Sequence, residues 1–349
     1  MSCWAACMGG LLDEVYERLR DTGPEFDGWL SNHGPMAADA LLRLGPDSEV
    51  HVHRWVDRYR TRLEDAPAPR WPISPESWRE AFGDATRLGD WPAFFDRELA
   101  ERPWPDVLCT WWPRLLPGAV AAATHGLIRT GHAVRALREE QTPPRVAELA
   151  QALGYWAARW QPVPGDVPPR GSRAPGTALD ALPVLGGAGD VRRRLADLGS
   201  RPDWAPAVAG LAPVAVAEVP AALDALVDAA VVRYGRWAHG NPVMLVHAAT
   251  APRAAALVLP SLPRDQWQPT FRAAWVTAAA ITAAYRPAGV LPEPPSGLDP
   301  RPATEAALRS GDEHALKFAE VAAESAARGV PTAVGAAQRA AQLIGRAGG

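Results

Sequence analysis

Residues 303–328 read ATEAALRSGDEHALKFAEVAAESAAR, an alanine-rich stretch with apolar residues at helical spacing. We read it as one long helix. Similar stretches at about 206–238, 242–258 and 266–285 predict further long helices, with a last one over about 331–346. Towards the N-terminus, LLDEVYERLR (11–20), Gly34–Leu44 behind the His33-Gly34-Pro35 turn, and HVHRWVDRYRTRL (51–63) have the same period. Short aromatic helices follow over 75–100, an apolar pair over 106–140 split near Pro113 and Pro117, and a helix over 144–159. No convincing alternating strands interrupt them, so the predicted class is all-α. The sequence reading takes 1–349 as one large multi-helix domain. It places a disordered leader at 1–10 and a Pro/Gly-rich loop excursion at 161–205, with one short helix around Val191–Leu198.

Lys317, within that opening stretch, is the only lysine among the 36 basic residues of this 349-residue chain; the other 35 are arginine. An ammonium can lose its proton and become a nucleophile, whereas a guanidinium in practice cannot. Net charge is −3, and the arginines are interleaved with 39 acids, which gives no basic surface for nucleic acid. Three cysteines (Cys3, Cys7, Cys109) form neither a disulfide framework nor a zinc motif. MSCWAACMGG lacks a basic n-region, and apolar runs such as Ala273–Tyr285 are short for a bilayer. The expectation is a reduced, soluble, cytoplasmic protein without a membrane span. Gly186-Gly187-Ala188-Gly189 lacks the spacing and lysine of a phosphate loop.

Of eight histidines, His51, His53 and His239 read as surface or capping residues. His33, His125, His132, His247 and His314 have apolar or small neighbours, and a buried imidazole needs a hydrogen-bond partner or a metal. The plainer alternative for each is a satisfied core histidine. His314 and Lys317 share a helix face. Ser310-x-x-Glu313 reads as a capping box that places both in the first two turns. The positive helix end there disfavours an ammonium, so Lys317 is a candidate to stay neutral and capture CO2 as a carbamate. His125 and His132 lie about 10 Å apart along a helix axis. One of them, with His125 favoured, is then a ligand, and the other touches substrate or supports the site.

SNHGPMAADAL (31–41), HGLIRTGHAVRAL (125–137), GYWAARW (154–160), MLVHAAT (244–250) and DEHALKF (312–318) occur in this order. Carrying these motifs, the chain resembles the questin oxidase-like proteins from about Leu11 to the C-terminus. That family is linked to oxidative opening of anthraquinone rings. The resemblance implies a non-haem Fe(II) oxygenase of an aromatic polyketide, whose metal is held by four histidines and a carboxylated lysine. Carried over, the ligands are His33, His125 (or His132), His247, His314 and Lys317 as its carbamate, with Lys317 and His132 as the catalytic candidates. Small aromatic substrate and O2 are the implied partners. The 15 tryptophans, Trp104, Trp111, Trp112, Trp156 and Trp160 among them, are candidates to line a flat pocket or, more simply, to fill the core. Alternatives are an NADPH-dependent Baeyer–Villiger-type monooxygenase, a zinc hydrolase with a carboxylated lysine, and a non-enzymatic helical binding protein. The sequence leaves the oligomeric state open.

Overall fold

The computed structural model describes residues 3–45, 48–163, 165–186 and 189–347. It is all-α: apart from one pair of two-residue strands, the regular elements among the described residues are helices. The contacts group into two compact units, Met1–Gln161 with Pro260–Leu262, and Pro162–Leu259 with Pro263–Gly349.

The first unit begins with α1 (Cys3–Leu19), which runs through the stretch expected to be a disordered leader; Met1 and Ser2 lie outside the described residues. A small hairpin, β1 (Glu25–Phe26) and β2 (Leu30–Ser31), pairs Glu25 with Ser31. Then come α2 (Gly34–Arg43), α3 (Ser48–Arg60), α4 (Trp78–Ala81), α5 (Asp90–Glu101), α6 (Trp104–Leu115), α7 (His125–Glu139) and α8 (Pro143–Ala158). Helix α8 packs against α5 and α7, and α7 packs against α2. Trp111 lies edge-on to Trp78 and Trp91 at ring-centroid distances of 5.1 and 5.7 Å, a favoured arrangement for aromatic quadrupoles. Trp111, Trp112 and Trp156 are fully buried in this unit, while Trp104 and Trp160 are half-buried. Trp156 donates its indole N–H to the Gly118 carbonyl at 2.9 Å. A Cβ on Gly126 would sit 2.6 Å from Trp156 Cγ, so the residue after His125 must be glycine for α7 to approach α8 this closely.

The second unit holds α9 (Pro175–Asp180), α10 (Val191–Asp197), α11 (Trp204–Ala209), α12 (Val219–Trp237), α13 (Pro242–Val258), α14 (Trp267–Tyr285), α15 (Pro300–Ser310), α16 (Glu313–Ala327) and α17 (Ala333–Ala347). Most of 161–205 is irregular, but part of its backbone is paired with the chain around residues 209–212. The Arg170 and Gly171 N–H groups donate to the Ala209 and Leu211 carbonyls at 2.9 and 3.0 Å, and Ala212 returns one to Arg173 at 2.9 Å. Of the Gly186–Gly189 stretch, Gly187 and Ala188 lie outside the described residues.

Two expected long helices are each broken. The one expected over 206–238 is interrupted after Gly210, where Leu211 joins the bridge to Arg173 and the chain resumes helix at Val216. The other, over 303–328, ends at Ser310. Gly311 takes a left-handed conformation (φ 63°), suited to a residue without Cβ, and Asp312 starts α16 anew. Pro242–Ser261, which the sequence reading passed over as a membrane candidate, is long and apolar enough to cross a bilayer (mean hydropathy 1.4), yet 72% of its apolar window is buried inside the protein. It contains α13 and one of the candidate histidines.

A buried four-histidine cluster

His33 caps the start of α2, and the preceding turn is built to hold it. Asn32 donates to Thr22 Oγ1 (3.0 Å) and to the Gly23 carbonyl (2.9 Å), while its own oxygen accepts the Gly34 N–H at 2.9 Å. The His33 backbone N–H donates to the Tyr59 hydroxyl at 2.8 Å, and its ring Nδ1 lies 3.5 Å from the same oxygen. Tyr59 in turn stacks on Trp55 with centroids 4.8 Å apart.

His125 opens α7 after a turn in which Ala122, Ala123 and Thr124 have φ of 49°, 54° and 74°. Three consecutive left-handed residues bearing side chains are strained, at about 1–2 kcal/mol each. Their arrangement aims the Ala122 carbonyl at both the His125 N–H (3.2 Å) and its ring Nδ1. The His33 and His125 rings meet edge to face with centroids 4.4 Å apart.

In the second unit, His247 sits on α13, whose start is capped by Asn241 accepting from the Met244 N–H at 2.9 Å. Its Nδ1 lies 3.1 and 3.2 Å from the Val243 and Met244 carbonyls. His314 is the second residue of α16. The cap is Asp312, where the capping box had pointed to Ser310; Ser310 instead turns its hydroxyl back to the Ala307 carbonyl at 2.9 Å. One oxygen of Asp312 accepts the His314 N–H at 2.8 Å and lies 3.3 Å from its Nδ1. Burial works against ionisation of Asp312, but the His314 bonds outweigh it and hold the carboxyl below its usual range. The His247 and His314 centroids are 5.4 Å apart.

His33, His125, His247 and His314 are all buried, and each offers a ligand atom within 4.8 Å of the others. These four histidines could hold a metal ion. In each ring Nδ1 faces an oxygen: Tyr59 hydroxyl, Ala122 carbonyl, the α13 carbonyls, or Asp312 carboxylate. The carbonyl and carboxylate oxygens facing His125, His247 and His314 only accept, so they put the proton on Nδ1 and leave the lone pair on Nε2, the tautomer that suits a metal.

Lys317 lies one turn on from His314 in α16 and is 1% exposed. Its Nζ has no hydrogen-bond partner among the described residues. Burial pushes its pKa down to about 8, against the opposing pull of Glu313 and Asp312. His132, the remaining candidate, stands outside the four. Its Nδ1 lies 2.8 Å from Asp39 of α2, which also pairs with Arg135 and Arg43. His51 and His239 are exposed and His53 half-buried.

The roles of Tyr59, Asp312 and Ala122–Thr124 were not read from sequence. Gly311-Asp312 was a visible stop-and-cap signal. Nothing local marks a tyrosine 26 residues away as the partner of His33, nor three alanine- and threonine-type residues as left-handed. Comparison with protein-family models, with curated proteins and with solved structures gives no match in any of the three.

Proposed function

We propose that this protein is a non-haem Fe(II)-dependent oxygenase that opens a ring of an electron-rich aromatic polyketide, as the questin oxidase-like resemblance implies. The observation that carries the reading is the gathering of four buried imidazoles from four segments, with Nδ1 of each ring set against an oxygen. His33, His125, His247 and His314 would hold the metal through nitrogen, and Lys317 would add an oxygen ligand as its carbamate.

Lys317 fits that role chemically. At a pKa of about 8, about one amine in ten is neutral at pH 7, against roughly one in three thousand for an ordinary lysine. The neutral amine attacks CO2: the N–C bond forms, one N–H proton is lost to solvent, and the group becomes an anion. A buried amine without a hydrogen-bond partner thereby acquires two oxygens and a charge opposite to the metal's. Imidazoles with one carboxylate-like oxygen suit iron among first-row metals. When bound, ferrous iron would supply the activation of O2. The chain's own contribution is to fix ligand tautomers through Ala122, the α13 carbonyls and Asp312, to hold His33 in place through Tyr59, and to keep Lys317 out of water.

The NADPH-dependent alternative has no specific observation in its favour. The test is elemental analysis of purified protein together with a 13C spectrum after equilibration with 13C-bicarbonate. About one iron per chain, a carbamate carbon signal that Lys317→Arg abolishes, and oxygen uptake on addition of a hydroquinone without NADPH are expected. Protein that takes up no iron, or Lys317→Arg with full iron and turnover, sinks the reading.

A further inference from the structure

Helix α7 carries a second histidine seven residues after His125, so the two side chains share one face of the helix, about 10 Å apart. The partner helix α2 repeats this arrangement. His33 at its start meets His125, and Asp39 further along meets His132. Two polar layers therefore cross the same helix pair, the ligand layer and an Asp–His layer behind it.

The second layer has the form of an oriented base. Asp39 is 1% exposed and ionised, held well below the usual carboxylate range: burial opposes ionisation, but Arg135, Arg43 and His132 overcome it. Its Oδ2 faces His132 Nδ1 at 2.8 Å, so the ring donates Nδ1–H and keeps its lone pair on Nε2. The guanidinium of Arg135, 3.1 Å from the same nitrogen, cannot share it as an acceptor once the proton is there.

Arg43 spans Asp39 (2.9 Å) and Glu139 (2.8 Å), and Arg135 also binds Asp39. From α1, the buried Tyr16 phenol also faces Asp39 and stays protonated, its pKa raised by burial first and by Asp39 and Glu148 next; Arg135 and Arg145 oppose this. Asp39 is the counter-charge for a proton taken up by His132, the logic of a carboxylate-oriented imidazole. At 7% exposure the ring is buried but not sealed.

We propose that His132, positioned by Asp39, is the proton acceptor for an acidic hydroxyl of the substrate, a phenol or enol bound along the His125 face of α7. This rests on the oxygenase reading above. In the step, the substrate O–H bond breaks with its electron pair left on oxygen. The proton joins Nε2, and Nδ1–H remains with Asp39. The substrate becomes the electron-rich phenolate that oxidation requires.

The test uses 4-nitrophenol, whose phenolate is coloured, added anaerobically to purified protein at a pH where the free probe is neutral. Wild type is expected to show the phenolate band of bound probe. His132→Gln should reduce it at least tenfold, and Asp39→Asn should raise the pH midpoint of the bound probe's ionisation by about one unit, a tenfold weaker base. If His132→Gln does not fold, the Asp39→Asn midpoint decides. A wild type without phenolate band, a band retained in folded His132→Gln, or an unmoved Asp39→Asn midpoint overturns the assignment. Metal content, measured on the same samples, reports separately on the iron reading.

Discussion

Replacing Lys317 by methionine should stabilise the metal-free protein near neutral pH and, on the proposed reading, remove one metal ligand. The side chain is 1% exposed, its Nζ has no hydrogen-bond partner, and burial depresses its pKa from 10.5 to about 8. A shift of that size corresponds to roughly 3 kcal/mol, at about 1.4 kcal/mol per pH unit. Its sign follows from which state holds the proton. Below about pH 8 both folded and unfolded chains carry an ammonium, and the folded state bears the full cost of burying it. Between about 8 and 10.5 the unfolded chain still binds a proton that the folded chain has released, so stability rises with pH across that window. Methionine of similar length bears no such cost, and apolar replacements of buried charges are often stabilising by about 1–4 kcal/mol. Urea unfolding in chelator and CO2-free buffer should therefore place Lys317→Met roughly 3 kcal/mol above wild type at pH 7, with the gap closing towards pH 10.5. Taking the difference between the two proteins cancels the titration of all other groups. A gap that does not change with pH, or a variant less stable at pH 7, would show that the amine is not held in a dry, unpaired position.

Other perturbations probe the remaining parts of the site. Tyr59→Phe removes the acceptor of the His33 backbone N–H; it should cost about 1–3 kcal/mol in unfolding free energy and weaken metal binding about 10–100-fold in a competition titration. Ala122→Gly and Ala123→Gly should each stabilise the chelated protein by about 1 kcal/mol, because glycine occupies the observed positive φ without penalty; thermal melts showing loss of stability would mean the turn is not left-handed. Asp312→Ala deletes both the α16 cap and the His314 Nδ1 partner. Helix stability should fall by about 1 kcal/mol, and metal affinity should fall as well, whereas Asp312→Asn should recover the cap but not the carboxylate charge facing the ring. Affinity unchanged in the alanine variant would exclude Asp312 from the site.

Much of the fold was legible because helical period is a local property. The apolar spacing of α12, α13, α14 and α17 follows from the sequence alone, and Pro at the first turn of α2, α8 and α13 marks their starts. Boundaries were missed where a local signal was outweighed or overlooked. Ser310 offered a capping box, yet Gly311 and Asp312 stop one helix and start the next within two residues. The stretch 206–238 has helical composition throughout, but Leu211 gives its backbone to Arg173 instead. The leader was read as disordered from its odd composition, and α1 nevertheless begins at Cys3.

What the sequence alone determined is the all-α class, the solitary lysine, and which histidines have neighbours too apolar for a surface. Those depend on residue chemistry and on spacing within one helix. Only the tertiary structure decided that His33, His125, His247 and His314 converge while His132 turns to Asp39. Spacing along α7 cannot tell two histidines on one face apart; a carboxylate 93 residues away in the chain does so by claiming one of them. Likewise the depressed Lys317 pKa comes from burial, which no run of neighbours in sequence specifies.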